Sequence, residues 1–247
     1  MRHEKRKYEQ IGVAMTCRSY EEYVRMFALR EEMLGSGPIL DVSAGASSFV
    51  AYACGRGKQA VAADPLYRMA VEEIREHGRQ EIETSTAKLA GLEDRFDWTF
   101  YGSLDQHQAM RERSLQRFVT DYELDTDHQR YIAAGLPSLP FESNTFELVM
   151  CSHFLFLYHE QFDYSFHRDA VKELFRVCRP GGEVRIYPIY TLGWERYPHL
   201  DLILEELRVE GAEASVLRSG LPFIPGSTEL LCLKKQGLNG DIKRFLS

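Results

Sequence analysis

Residues 38–67, PILDVSAGASSFVAYACGRGKQAVAADPLY, narrow the choice of fold more than any other stretch. Ile39, Leu40, Asp41 and Val42 make a short run apolar enough for a buried strand, and Ser43, Ala44, Gly45, Ala46 and Ser47, which follow, are all small. Ser47 or Ser48 is placed to cap a helix through Phe49, Val50 and Ala53 that Gly55 and Gly57 end. A second apolar run over 60–63 then delivers Asp64. Strand, small-residue turn, helix, strand and acid is the layout of a nucleotide-binding βαβ unit. Small side chains let backbone N–H groups approach a ligand, and the acid meets a ribose diol.

The turn departs from the dinucleotide fingerprint, because Gly45 is its one glycine. Pyrophosphate demands the closest backbone approach, so a nicotinamide dehydrogenase is disfavoured. A ligand without phosphates, such as S-adenosylmethionine, needs a close turn but no phosphate cradle.

With 247 residues, 44% of them hydrophobic, the chain can bury the core of one α/β domain and an elaboration. Its net charge of -7 argues against a protein that lives on nucleic acid, whose footprint is basic. No apolar run approaches a membrane span, and MRHEKRKYEQ lacks the apolar core of a secretory signal. Cys17, Cys54, Cys151, Cys178 and Cys232 are odd in number and scattered without zinc-ligand spacing. They read as buried thiols in a reducing cytoplasm, with no metal expected.

Before the first strand, Ser19-Tyr20-Glu21-Glu22 has the form of a capping box, and Tyr23, Phe27 and Leu34 recur at helical spacing up to Gly35 and Gly37. Residues 1–37 therefore form either a helical lid, with Tyr8, Arg18 or Tyr20 touching ligand, or a helix packed outside the domain. Arg2, Lys5, Arg6 and Lys7 read as a solvated basic tail. Residues 78–128 are too long for a plain link between two strands, and Ile82, Leu89 and Leu92, then Leu115, Phe118, Val119 and Tyr122, give them helical spacing. An inserted helical cap that shapes a substrate pocket is the expectation, against a solvated outcrop. Further strands are expected over 130–134, 146–151 and 183–190, with a sharp turn at 179–182 and helices over 169–177 and 200–207. The last two strands, 214–217 and 229–233, are joined too tightly for a helical crossover and should pair antiparallel.

ILDVSAGASSF, VAADP, LPFESNTFELVMCSHFLF and ELFRVCRPGGEVRIYP, in that order, resemble the class I S-adenosylmethionine-dependent methyltransferases over residues 38–235. The resemblance implies a doubly wound, seven-stranded, mostly parallel sheet of order 3-2-1-4-5-7-6 with the last strand antiparallel, and S-adenosylmethionine as cofactor. It implies that Asp41, Ser43, Ala44 and Gly45 face the methionine part of the cofactor with Ser47 close by. Asp64, followed by Pro65, would meet the ribose, Gly135 and Leu136 would flank the adenine, and Ser152 and His153 would lie beside the sulfonium. Three positions depart from the family pattern: serines replace glycines at Ser43 and Ser47, and Gly135 stands where an adenine-binding Asp is common.

Methyl transfer from a sulfonium needs alignment of nucleophile, methyl and sulfur, and a base where the nucleophile must lose a proton. His153 is the candidate base, and Tyr20 a candidate to close over the methyl group. The N/D-P-P-Y/F/W signature of amino-directed nucleic-acid methyltransferases is replaced by Cys151-Ser152-His153-Phe154. A small organic acceptor beneath the cap is the first expectation. A methyltransferase acting on RNA or protein, and a non-catalytic module that only binds the cofactor, are the alternatives.

Overall fold

A computed structural model describes residues 12–222 and 226–237; Arg2, Lys5, Arg6, Lys7 and Tyr8 lie outside the described residues. Seven strands form one sheet: β1 (Ile39–Val42), β2 (Ala60–Ala63), β3 (Tyr131–Ile132), β4 (Phe146–Ser152), β5 (Cys178–Tyr187), β6 (Ala212–Arg218) and β7 (Glu229–Lys235). Their order is β3-β2-β1-β4-β5-β7-β6. The first five are parallel, whereas β7 runs antiparallel to both β5 and β6. This is the doubly wound class and strand order expected, and the short link before β7 forces the closing antiparallel pair.

Register explains where the site falls. Asp41 aligns with Ala62 and Met150, and Val42 with Ala63 and Cys151. The next residues along, Ser43, Asp64 and Ser152, therefore emerge together at one carboxyl edge of the sheet. Strand residues alternate between two cores: Ile39, Ala62, Leu148 and Met150 face one, Leu40, Val42, Val149 and Cys151 the other. The second core is covered by α6 (Tyr164–Val177) and α7 (Leu200–Val209), which supply Ala170, Leu174, Ile203 and Leu207. The first is covered by α1 (Tyr20–Met26), α3 (Phe49–Gly55), α4 (Val71–Ala90) and α5 (Leu104–Leu124).

Three expectations change in detail. The front helix is two, α1 and α2 (Glu31–Gly35), separated where Ala28 takes a φ of 49°. The turn expected at 179–182 lies inside β5 as a bulge, since pairing jumps from Phe146↔Cys178 to Leu148↔Glu183. Gly182 is required there, because a Cβ would stand 2.6 Å from the Glu147 carbonyl oxygen. Residues 78–128 are also more than a cap. Phe118 of α5 is fully buried, its ring meeting Tyr67 at 6.0 Å and Tyr131 edge-on at 5.3 Å. The helix thus covers the sheet, and it carries His107 and Arg111 toward the carboxyl edge.

Candidate active site

The turn after β1 is bent at Ser43, φ 55°, and Gly45, φ 57°. Ser43 N donates to Ala63 O at 2.8 Å, which ties the turn to the end of β2. The Asp64 carboxylate then accepts from Gly45 N at 2.9 Å and from Leu66 N at 2.8 Å, one oxygen each. Tyr67 Oη closes the ring by donating to Gly45 O at 2.9 Å. Asp64 stays half-buried, so its remaining lone pairs are reachable. Burial raises its pKa, and the two backbone N–H groups oppose that rise.

Asp41 is 0% exposed, and neither carboxylate oxygen meets the geometry of a hydrogen bond. Burial raises its pKa well above the carboxylate range; the nearby Tyr23 hydroxyl pulls the other way and Asp64 adds to the rise. No lysine or arginine is among the groups that set either carboxyl. Two acids near adjacent strand ends without a cation favour the protonated form of Asp41, and a cation bound there would stabilise their charged forms.

Residues 14–18 lie across this turn as a strap. A Cβ on Gly45 would stand 3.1 Å from Thr16 O and 3.3 Å from Thr16 N. The Arg18 carbonyl accepts from Ser48 N at 3.0 Å, Ser47 Oγ at 3.1 Å and Ser114 Oγ at 2.8 Å. Ser47 Oγ also accepts from Phe49 N at 3.1 Å. Its hydroxyl is thereby committed to the strap and the helix start, which corrects its expected place beside a ligand. Ala44 is buried with it, whereas Ser43, Gly135 and Leu136 are half-buried and Pro65 is exposed.

Gly135 sits against Pro65: a Cβ there would come within 2.8 Å of Pro65 Cγ. An aspartate at this position cannot be accommodated without moving the proline. Gly135→Asp is expected to cost about 1–3 kcal/mol of stability and to bring no gain in nucleoside affinity; urea denaturation and calorimetry check both.

His153 follows β4 with a φ of 48°, its N–H donating to Tyr187 O at 2.7 Å. Nδ1 lies 3.0 Å from Ser152 Oγ, and the ring stands edge-on to Tyr187 at 5.1 Å. Burial, with Arg18 and Arg111 adding to it, holds the imidazole well below its usual pKa and therefore neutral. Tyr20 is placed elsewhere. Its ring stacks on Tyr52 at 4.3 Å and Phe49 at 5.5 Å, with the Arg56 guanidinium 5.8 Å away. That stack fills the α1–α3 contact and keeps Tyr20 out of the reaction space expected for it.

On the far side of the strap lies a pocket of about 910 Å³, open mouth included. The strap forms one wall, and α4 and α5 contribute Glu81, Ile82, His107 and Arg111; the loops after β4 and β5 contribute His153, Tyr158 and Trp194. Behind it is a buried ionic knot. Glu22, 0% exposed, accepts from Ser19 N at 2.7 Å, Arg18 Nη1 at 3.2 Å, Tyr101 Oη at 2.6 Å and Arg111 Nη1. Burial would raise the Glu22 pKa, but Arg111 and Arg18 bring it down to about 2. The N-terminal segment is thus pinned to α5.

Residues 90–186 match the family described as "Methyltransferase domain". The chain is 33% identical over 219 residues to an uncharacterized protein of Methanocaldococcus jannaschii, covering 88% of this chain and 94% of that one. This chain belongs to the class I S-adenosylmethionine-dependent methyltransferases. An O-methyltransferase family protein from Burkholderia thailandensis shares the fold at 11% identity, with 89% of this chain and 57% of that chain covered and a TM-score of 0.50. An S-adenosylmethionine-dependent methyltransferase from Thermotoga maritima matches over 88% of this chain and 90% of its own, at 13% identity and a TM-score of 0.44.

For a methyltransferase, the turn fits its cofactor on two observations. Asp41 is an orphaned buried carboxyl, and the acid pair has no cation of its own, which suits a ligand carrying a sulfonium and an ammonium. The pocket also contains residues that were not singled out in the sequence, Arg111 and Trp194 among them. A signal for Arg111 was present: His107 and Arg111 share the helical face of Leu115, Phe118 and Tyr122, where polar side chains need a buried partner.

Proposed function

We propose that the chain transfers a methyl group to a small organic acceptor held in the pocket behind the strap. The observation that carries the reading is the position of that pocket. It is lined by His153, directly after the end of the strand that pairs with β1, and is walled by the strap, α4 and α5. A macromolecular acceptor would need an open face there.

The cofactor, when bound, supplies an electrophilic methyl on a neutral leaving group. Asp64 would accept from the ribose hydroxyls through its free lone pairs. Asp41, beneath the turn, would be stabilised in its charged form by an ammonium above it. Ser152 orients the His153 ring through Nδ1, leaving Nε2 without a protein partner among the described residues. In the tautomer whose Nδ1–H donates to Ser152 Oγ, the neutral His153 ring keeps the Nε2 lone pair available to take a proton from the acceptor.

Asp64→Ala removes the ribose acceptor together with the staple on Gly45. It is expected to weaken S-adenosylhomocysteine binding by roughly tenfold or more in calorimetry. Incubation with labelled cofactor and a metabolite extract should place label in small molecules. Label confined to RNA or protein would refute the acceptor class, and no binding of either cofactor form would refute the enzyme.

A further inference from the structure

The polar wall of the pocket is chemically one-sided. Arg18 is 7% exposed, and among the described residues its side chain makes a single hydrogen bond, Nη1 to Glu22 Oε1 at 3.2 Å. Its Nε is buried without a partner. Arg111 is used more fully: it donates to Glu22 Oε2, to Cys17 O at 3.3 Å and to Tyr101 Oη at 3.4 Å. One carboxylate therefore serves two guanidiniums, and the knot keeps a surplus positive charge whose unused donors belong to Arg18. The other acid of the pocket, Glu81, forms no ion pair with Arg18 and lies 4.0 Å from the half-exposed His77, toward solvent. A buried guanidinium edge left without an acceptor is costly unless an anion completes it.

We propose that Arg18 is the receptor for a carboxylate carried by the methyl acceptor, its free Nε edge offering the two parallel donors that a carboxylate fits. This rests on reading the pocket as the acceptor site. The cofactor has a carboxylate too, but Arg18 lines the pocket together with His153 and Tyr158, whereas neither Asp41 nor Asp64 lines it. This places Arg18 on the acceptor side of the strap. The body of the pocket, with Met15, Ile82, Leu157 and Trp194, suits an apolar or aromatic remainder.

The test is calorimetric titration of the full chain, with and without S-adenosylhomocysteine, using benzoate and indole-3-acetate against their uncharged amides. The acids should bind at least about tenfold more tightly than the amides. Arg18→Gln should abolish that preference. Arg18→Lys keeps a charge on Glu22, and with it the fold, but should still weaken the acids about tenfold, since an ammonium offers no fork. The comparison of acid with amide on the unaltered protein stands even if Arg18→Gln does not fold. Equal binding of acids and amides, or binding of none of the four, overturns the proposal. So does a variant that loses S-adenosylhomocysteine affinity with the acid preference intact, which assigns Arg18 to the cofactor. Acid preference in a protein that binds no S-adenosylhomocysteine would keep the carboxylate site and overturn the methyltransferase reading instead.

Discussion

Acidification from about pH 6.5 to about pH 4.5 should lower the unfolding free energy by about 3–5 kcal/mol, well before most carboxylates titrate. The groups responsible are buried histidines. Burial, with Arg111 adding to it, pushes His107 down to about 3, and burial pushes His167 down to about 4. His153 moves the same way. Each is neutral when folded and takes up a proton near 6.5 when unfolded. The unfolded chain therefore binds more protons throughout this window, and stability present above pH 6.5 is lost as pH falls toward the folded values. Asp41 and Asp64 work in the opposite direction, since their raised pKa values favour the folded state on acidification; Asp41 offsets one histidine and Asp64 part of another. A net of between one and two protons, at about 1.4 kcal/mol per proton per pH unit, gives the stated figure. That is a large share of the 5–15 kcal/mol typical of a domain. Urea midpoints measured across the window check it: a flat profile would mean that the histidines are charged or solvated in the folded protein. His167→Gln should remove half or more of the net slope, because its ring lies 6.2 Å from Phe156 and 4.9 Å from Tyr197, away from the pocket.

Glu22→Ala should cost about 3–5 kcal/mol, more than the loss of a typical surface ion pair by several-fold. The carboxylate is the sole acid of the knot, and its removal strands Arg111, 6% exposed, and Arg18, 7% exposed, in the core. The N-terminal strap should loosen with it, since Arg18 O is what Ser47, Ser48 and Ser114 hold. Hydrogen exchange should then rise at Ser48, whose amide is fastened to the strap. The double variant Glu22→Leu, Arg111→Met replaces charge with apolar volume and should recover much of the loss. If Glu22→Ala unfolds at the same urea concentration as the parent, the knot contributes no net stability.

The fold was legible because its signals are local. β1, the small turn, α3, β2 and Asp64 lie within 30 residues, and strand length and apolar runs set them without reference to the rest of the chain. The antiparallel closure followed from a link too short to cross over. The insertion was read correctly as helical and it lines the pocket, but its second role was not legible: that α5 also covers the sheet depends on Phe118 meeting Tyr67 and Tyr131, which periodicity cannot reveal. Tyr20 and Ser47 were misplaced for a related reason. Their spacing suits a ligand site equally well, and only the packing of α1 on α3 and the path of residues 14–18 commit them elsewhere.

Chain order alone was enough to place the strands, the small-residue turn and the acids near the ends of β1 and β2, because each depends on residues a few positions apart and on the period of two along a strand; the strand order and the cofactor class came from the family resemblance. Tertiary structure alone decided the acceptor pocket and the ionic knot behind it. Glu22 and Arg111 stand 89 positions apart, and nothing in either neighbourhood names the other. Burial makes them partners, since a carboxylate brought into the core must find a cation or give up its charge.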